Sequence, residues 1–269
     1  MPRPRLILDP RSPSIIVPLT GRDLAELEQQ IQALTTAGSE FERSYPGAAH
    51  LVDIVEWRVD LYEPFTTGAG RDPAPAVEAL ARIAQLLPGR PVLATFRTSA
   101  EGGSAEISPE DYVALAAALA ATGLTSAVDV ELRHPRAADA IAAVHAHGAS
   151  VVASNHDFEA TPPVEEIVSR LTAMEDAGAD VAKIAVMPLS AADVVTLLAA
   201  TEQRSRVAGI PLITMAMGGL GAVTRLGGGP FGSSATFATV GPASAPGQLP
   251  AEGVRGALEL LNAGPTRQE

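Results

Sequence analysis

Along the chain, short runs of β-branched and small apolar residues alternate with longer Ala/Leu-rich stretches whose apolar positions recur at helical spacing. The short runs predict strands at Ser14–Leu19, Asp53–Leu61, Pro91–Thr98, Ser126–Leu132, Ser150–Phe158, Asp180–Met187, Pro211–Met217 and Ala235–Val240. The longer stretches predict helices near Asp23–Thr36, Pro75–Leu87, Pro109–Ala121, Pro135–Ala146, Pro163–Ala177, Ala191–Ser205, Ala222–Leu226 and Ala251–Leu261. Pro109 and Pro163 suit first helical turns, where a missing N–H costs nothing. Gly38, Gly123, Gly148, Gly178 and Gly209 suit helix C-termini, where a cap can need positive φ.

Eight strand–helix units with no linker or composition break between them predict one α/β domain over residues 1–269, a closed (β/α)8 TIM barrel. An open doubly wound sheet is the alternative. The leading Arg5–Asp9 stretch predicts an extra strand or hairpin closing the barrel bottom. In a barrel, chemistry gathers at the C-terminal ends of the strands.

Composition narrows the function. With 269 residues, 46% hydrophobic, the chain can bury a core unaided, and zero cysteines exclude disulfides, thiolate metal sites and a cysteine nucleophile. A net charge of −12 argues against a nucleic-acid surface. No apolar run approaches the ~18 residues that span a bilayer, and Asp9, Arg11 and the flanking prolines interrupt any signal-peptide core, so a soluble cytoplasmic protein is expected. Of 19 basic residues, 18 are arginine, and the exception is Lys183. Arginine replaces lysine on a solvated surface but never supplies a neutral amine, which marks Lys183 for a task that only an amine performs.

The predicted strand ends carry the remaining candidates. In DIVEWRVDL, period-2 alternation puts Glu56, Arg58 and Asp60 on one face, as an ion-pair brace, a ligand contact or both. Arg97 and Glu101 follow the third strand beside Gly102–Gly103, and Asp129 and Glu131 form an acidic pair on the fourth. His156 ends the fifth strand, where an imidazole suits a general base. HxH, HExxH and facial-triad patterns are missing, so no catalytic metal is expected. On the sixth strand, burial and Arg58, Arg97 or Arg225 nearby would depress the pKa of Lys183 and ready it for Schiff-base chemistry. Met215 and Met217 alternate onto one face of the seventh strand, and Arg225 follows among glycines that fit a phosphate or carboxylate site. Ser244 and Gln248 lie in a Pro/Gly-rich segment able to close over a ligand.

In series, IIVPLTGRD, EWRVD, TFR with EGG, SNHDF, KIAVMP, ITMAM, TRL, FGSSATFA and SAPGQ resemble the type I 3-dehydroquinate dehydratase (type I dehydroquinase) family over nearly the whole chain. The resemblance implies a TIM-barrel lyase of the shikimate pathway, serving chorismate and aromatic amino-acid biosynthesis, that eliminates water syn from 3-dehydroquinate without a cofactor. It makes Lys183 the Schiff-base lysine, His156 the general acid/base and Glu101 the carboxylate that orients it. Glu56, Arg58 and Arg97 would hold ring hydroxyls and polarise the site. Arg225, Ser244 and Gln248 would hold the substrate carboxylate, with Met215, Met217 and Phe237 as apolar walls. A homodimer is implied as well. Pro18 replaces a serine of several relatives, and Gly218–Gly219–Leu220–Gly221 stands where Ser and Lys are expected, implying a less basic seventh loop. A class I aldolase or transaldolase, or a silent barrel binding a carboxylated ring metabolite, are the alternatives.

Overall fold

The computed structural model describes residues 3–67, 71–241 and 247–262. Eight parallel strands follow one another in space as in sequence: β1 (Ser14–Leu19), β2 (Ile54–Arg58), β3 (Val92–Thr95), β4 (Ala127–Glu131), β5 (Ser150–Asp157), β6 (Val181–Val186), β7 (Leu212–Ala216) and β8 (Ala235–Thr239). A two-residue strand, β9 (Leu249–Pro250), adds to β8. β8 pairs with β1, and a bridge between Leu212 and Ser233 brings β7 to the start of β8, so the sheet curls into the expected barrel. The helices are α1 (Leu24–Ser44), the single turn α2 (Glu63–Thr66), α3 (Ala74–Leu86), α4 (Pro109–Ala121), α5 (Ala137–Ala146), α6 (Val164–Asp176), α7 (Ala191–Ser205), α8 (Ala222–Gly227) and α9 (Ala251–Asn262).

Alternation along each strand divides the core in two. Val55 and Trp57 of β2 point outward into the layer shared with the helices, the same cluster that takes in Leu80 and Ile83 of α3. Ile54 points inward with Ile16, Leu93, Val152, Val181 and Ile213. These inward apolar residues fill the lower barrel. Toward the upper end the inward positions turn polar, and the register sets Glu131, Ser154 and Lys183 side by side on β4, β5 and β6.

Three expectations need correction. Arg5–Asp9 forms no strand; the segment instead lays Leu6 and Leu8 under the inner apolar cluster, and Arg3 bonds the carbonyls of Ala120 and His147. Gly38 does not end α1, which runs on to Ser44 because Phe41 extends the buried stripe of Leu27, Ile31 and Leu34. Asp60 does not continue the inward face of β2, since the strand ends at Arg58 and Val59–Leu61 is a 3-10 turn. Of the predicted caps, Gly123, Gly148 and Gly178 take positive φ and Gly209 does not.

Pro18 has a backbone reason to be tolerated. Ser14 donates to Ser234 on the β8 side and Ile15 accepts from Asp53 on the β2 side, so even-numbered residues of β1 look toward β8. Registered pairing with β8 stops at Ile16, short of the N–H that Pro18 lacks.

Candidate active site

The mouth of the barrel holds a cavity that opens to solvent. It is lined by Glu56, Arg58, Thr95, Arg97, Glu101, Gly102, His156, Phe158, Lys183, Ala185, Met215, Met217, Arg225, Phe237 and Gln248. Every residue that the family resemblance assigns to the site, except Ser244, is among them. Ser244 lies outside the described residues.

Lys183 is 3% exposed, and its neighbours differ from those expected. Carboxylates touch the amine, not arginines. Nζ lies 3.1 Å from Asp129 Oδ2 and 3.4 Å from Glu56 Oε1, and 4.8 Å from the centre of the Phe237 ring. Thr95 Oγ1 donates to the same Glu56 oxygen at 3.0 Å. Asp129 also faces Arg97 Nη2 at 2.8 Å and accepts from Ser154 Oγ at 2.6 Å. Burial alone would raise the Asp129 carboxyl, yet Arg97 and Lys183 outweigh it and hold its pKa below the usual value. Asp129 is thus the bridge between the buried guanidinium and the buried amine, which settles the place of a residue whose role the sequence left open.

Arg97 borders the cavity with its guanidinium committed to the protein. Beyond Asp129 it donates to Glu131 Oε1 and Ser154 Oγ, both at 3.0 Å, and lies 3.6 Å from Glu101 Oε2. Burial works against its charge, but the surrounding carboxylates win and raise its pKa. A buried cation without such partners would cost the fold several kcal/mol. Arg58 forms a bidentate pair with Asp60 through Nε at 2.8 Å and Nη2 at 2.7 Å, and Asp60 also accepts the N–H of Arg97 at 3.2 Å. Asp60 is therefore the brace, and Arg58 is the member of the pair that reaches the cavity.

His156 and Glu101 form a second unit. Glu101 sits on a 3-10 turn, Ser99–Glu101, closed by Gly102 at φ +81. A Cβ on Gly103 would fall 1.8 Å from the Arg97 carbonyl oxygen, so the EGG sequence is a steric requirement of this turn. Glu101 Oε2 takes the main-chain N–H of His156 at 3.0 Å and its Nδ1 at 2.9 Å, leaving Nε2 for the cavity. Burial, then Arg97, Lys183 and Arg58, hold the His156 pKa well below its ordinary value, so the ring is a neutral base at neutral pH. Burial, opposed by Arg97, pushes Glu101 up to about 7.

Arg225 is 2% exposed, its Nη1 is 3.8 Å from Met215 Sδ, and burial lowers its pKa to about 10. The Met215, Met217 and Phe237 side chains belong to the apolar inner cluster and form one wall. Thr95, Ser154, Asn155, Phe158 and Arg170 were not among the sequence candidates. Thr95 shares the inward parity of Leu93, so alternation could have found it. Among the described residues, no group of three or more His, Asp or Glu side chains is placed to hold a metal ion.

A buried amine, an imidazole–carboxylate pair and cavity-lining arginines at the C-terminal mouth of a parallel barrel define the class: a (β/α)8-barrel enzyme with an acid–base pocket built around one lysine. The family model for type I 3-dehydroquinase matches residues 15–265. The chain belongs to that family. A 3-dehydroquinate dehydratase of Listeria welshimeri is 45% identical over 253 residues, 93% of each chain. A Geobacillus kaustophilus 3-dehydroquinate dehydratase structure matches with a TM-score of 0.84 at 35% identity, covering 94% of this chain and 93% of that one. A Clostridium difficile type I 3-dehydroquinate dehydratase, solved with covalent modified comenic acid, matches with a TM-score of 0.83 at 36% identity over 95% of this chain and 94% of that one. Membership sets aside the aldolase, transaldolase and silent-barrel alternatives.

Proposed function

We propose that the family's hydro-lyase reaction, syn elimination of water from 3-dehydroquinate to give 3-dehydroshikimate in the shikimate pathway, runs here through an imine on Lys183 with His156 as acid and base. The observation that carries this reading is the chain's one lysine, buried at the cavity within 3.4 Å of two carboxylates and on the strand next to His156.

Lys183 attacks the C3 ketone, and loss of water leaves a protonated imine. Glu56 and Asp129 are the acceptors at hand for the proton the amine gives up before attack, and they remain as counter-charges to the cation. The cation acidifies the C2 proton, which Nε2 of His156 removes to leave an enamine. Glu101 holds the Nδ1 proton, so the imidazolium that forms is stabilised where it stands. The imidazolium returns that proton to the C1 hydroxyl, water departs from the same face, and hydrolysis of the imine frees the product and the amine. The electron sink is the covalent cation itself, so the reaction draws on no cofactor.

Arg225, Gln248 and Ser244 hold the substrate carboxylate, Glu56 and Arg58 the ring hydroxyls, and Met215, Met217 and Phe237 the apolar side. Arg97 acts through Asp129 and Glu101, which it orients. These arginines give the cleft a local field that attracts an anion despite the net charge of −12. The reading includes one barrel domain over residues 1–269, a cytoplasmic location, no nucleic-acid or membrane partner, and a homodimer. Among the described residues no helix is long and apolar enough to cross a membrane. Borohydride reduction in the presence of 3-dehydroquinate, followed by peptide mapping, tests the proposal: an adduct on Lys183 with water lost supports it, and an unmodified Lys183 overturns it.

A further inference from the structure

Glu101 is held from the side away from the imidazole as well. Asn155 Nδ2 donates to Glu101 Oε1 at 3.1 Å, which leaves Oε2 to His156. Behind Asn155, Arg170 of α6 donates through Nη1 to Asn155 Oδ1 at 2.9 Å and to Asp157 Oδ2 at 3.3 Å, and through Nε to Glu166 Oε1 at 3.1 Å. While Glu101 is ionised its carboxylate has no proton to give, and a guanidinium has no lone pair to offer. Asn155 therefore satisfies both neighbours in one amide orientation only. Flipped, its Oδ1 would meet Glu101 acceptor to acceptor and its Nδ2 would meet Arg170 donor to donor.

We propose that Asn155 and Arg170 are positioning residues for the acid–base pair: Arg170 fixes the Asn155 amide so that Nδ2 faces Glu101 Oε1, and this turns Oε2 onto His156. The proposal rests on the reading of His156 as acid and base. Arg170 lies behind the strand, not at the cavity, and acts through two intervening side chains. The other charged or titratable groups facing Glu101 are Arg97 after β3, Asp129 and Glu131 from β4, and His156 itself. Among the described residues, Asn155 is the donor to Oε1. By bonding the ionised form, it favours the carboxylate against burial.

The test follows Glu101 directly, by carbon-13 NMR of protein labelled at the glutamate carboxyls, with E101Q assigning the signal. In N155S and in R170M the Glu101 midpoint should rise by about half a pH unit or more, because a donor to the carboxylate is lost or flips away. R170K should recover part of the shift. The acid limb of kcat/KM should move with the midpoint, while borohydride trapping on Lys183 continues, since neither side chain touches the amine. R170M leaves Asn155 in place and serves if N155S does not fold. An unmoved midpoint in both variants overturns the positioning role and leaves the His156 reading intact. A midpoint that moves while the kinetic limb stays supports the positioning of Glu101 and overturns the acid–base reading instead.

Discussion

Glu101 Oε2 receives two donors from one residue, the main-chain N–H of His156 at 3.0 Å and its ring Nδ1 at 2.9 Å. A carboxylate that grips both backbone and ring fixes where the imidazole sits and which nitrogen carries the proton. Burial raises Glu101 from 4.5 to about 7. An acid raised in this way stabilises the fold below pH 4.5 and loses that contribution as pH rises through about 7. Glu101→Gln should remove this loss, so its stability relative to wild type should climb across that window, as denaturant titrations at several pH values would show. It should also abolish the rising limb of activity near pH 7 and lower kcat about tenfold or more. A wild-type pH–rate profile in the variant would refute the assignment.

Lys183→Ala should reduce dehydration to below about one-thousandth of wild type with the fold intact, because the chain has no other lysine on which the imine could form. Lys183→Arg should be equally inactive, since guanidinium keeps its charge. Enone absorbance of the product measures both, and appreciable turnover in either variant would contradict covalent catalysis.

For His156→Ala the expected outcome is different. The amine and its two carboxylates remain, so the covalent complex should accumulate while turnover falls by about 10²–10⁴-fold. Mass spectrometry after borohydride reduction distinguishes the cases. Loss of both trapping and turnover would put His156 in imine formation.

Gln248→Ala should raise KM about tenfold with a smaller change in kcat, the effect of losing ~1.4 kcal/mol of binding shared by ground and transition states. Arg225→Ala should cost more, because a charge-assisted contact from a buried guanidinium is stronger than a neutral one. Steady-state kinetics on the pair decide it; unchanged KM in both would move the carboxylate elsewhere.

The barrel and most of its site were legible in the sequence because their signals are local. β1 has its predicted bounds, β-branched runs mark the other strands, and a lone lysine among arginines stands out in any count. What escaped depends on relations across the fold. Alternation carried Asp60 onto the wrong face because nothing in VDL announces that the strand has ended. Gly38 reads as a stop by residue type, although Leu27, Ile31, Leu34 and Phe41 keep helical spacing through it. Asp129 was visible as half of an acidic pair, but its contact with Lys183 comes only from curling β4 and β6 around one interior. Asn155 is harder still. Strand parity sets it apart from Ser154 and His156, and only the turn after β3 brings Glu101 to its amide.

The N-terminal segment sits at the opposite end of the barrel from the chemistry. Leu6 and Leu8 lie under the inner cluster, and Arg3 fastens the segment to the last turn of α4 and the residue after α5. A tether attached ahead of Arg3 would anchor the enzyme by its base, so that molecules grafted to a bead or an electrode through this end present their mouths to the flowing solution.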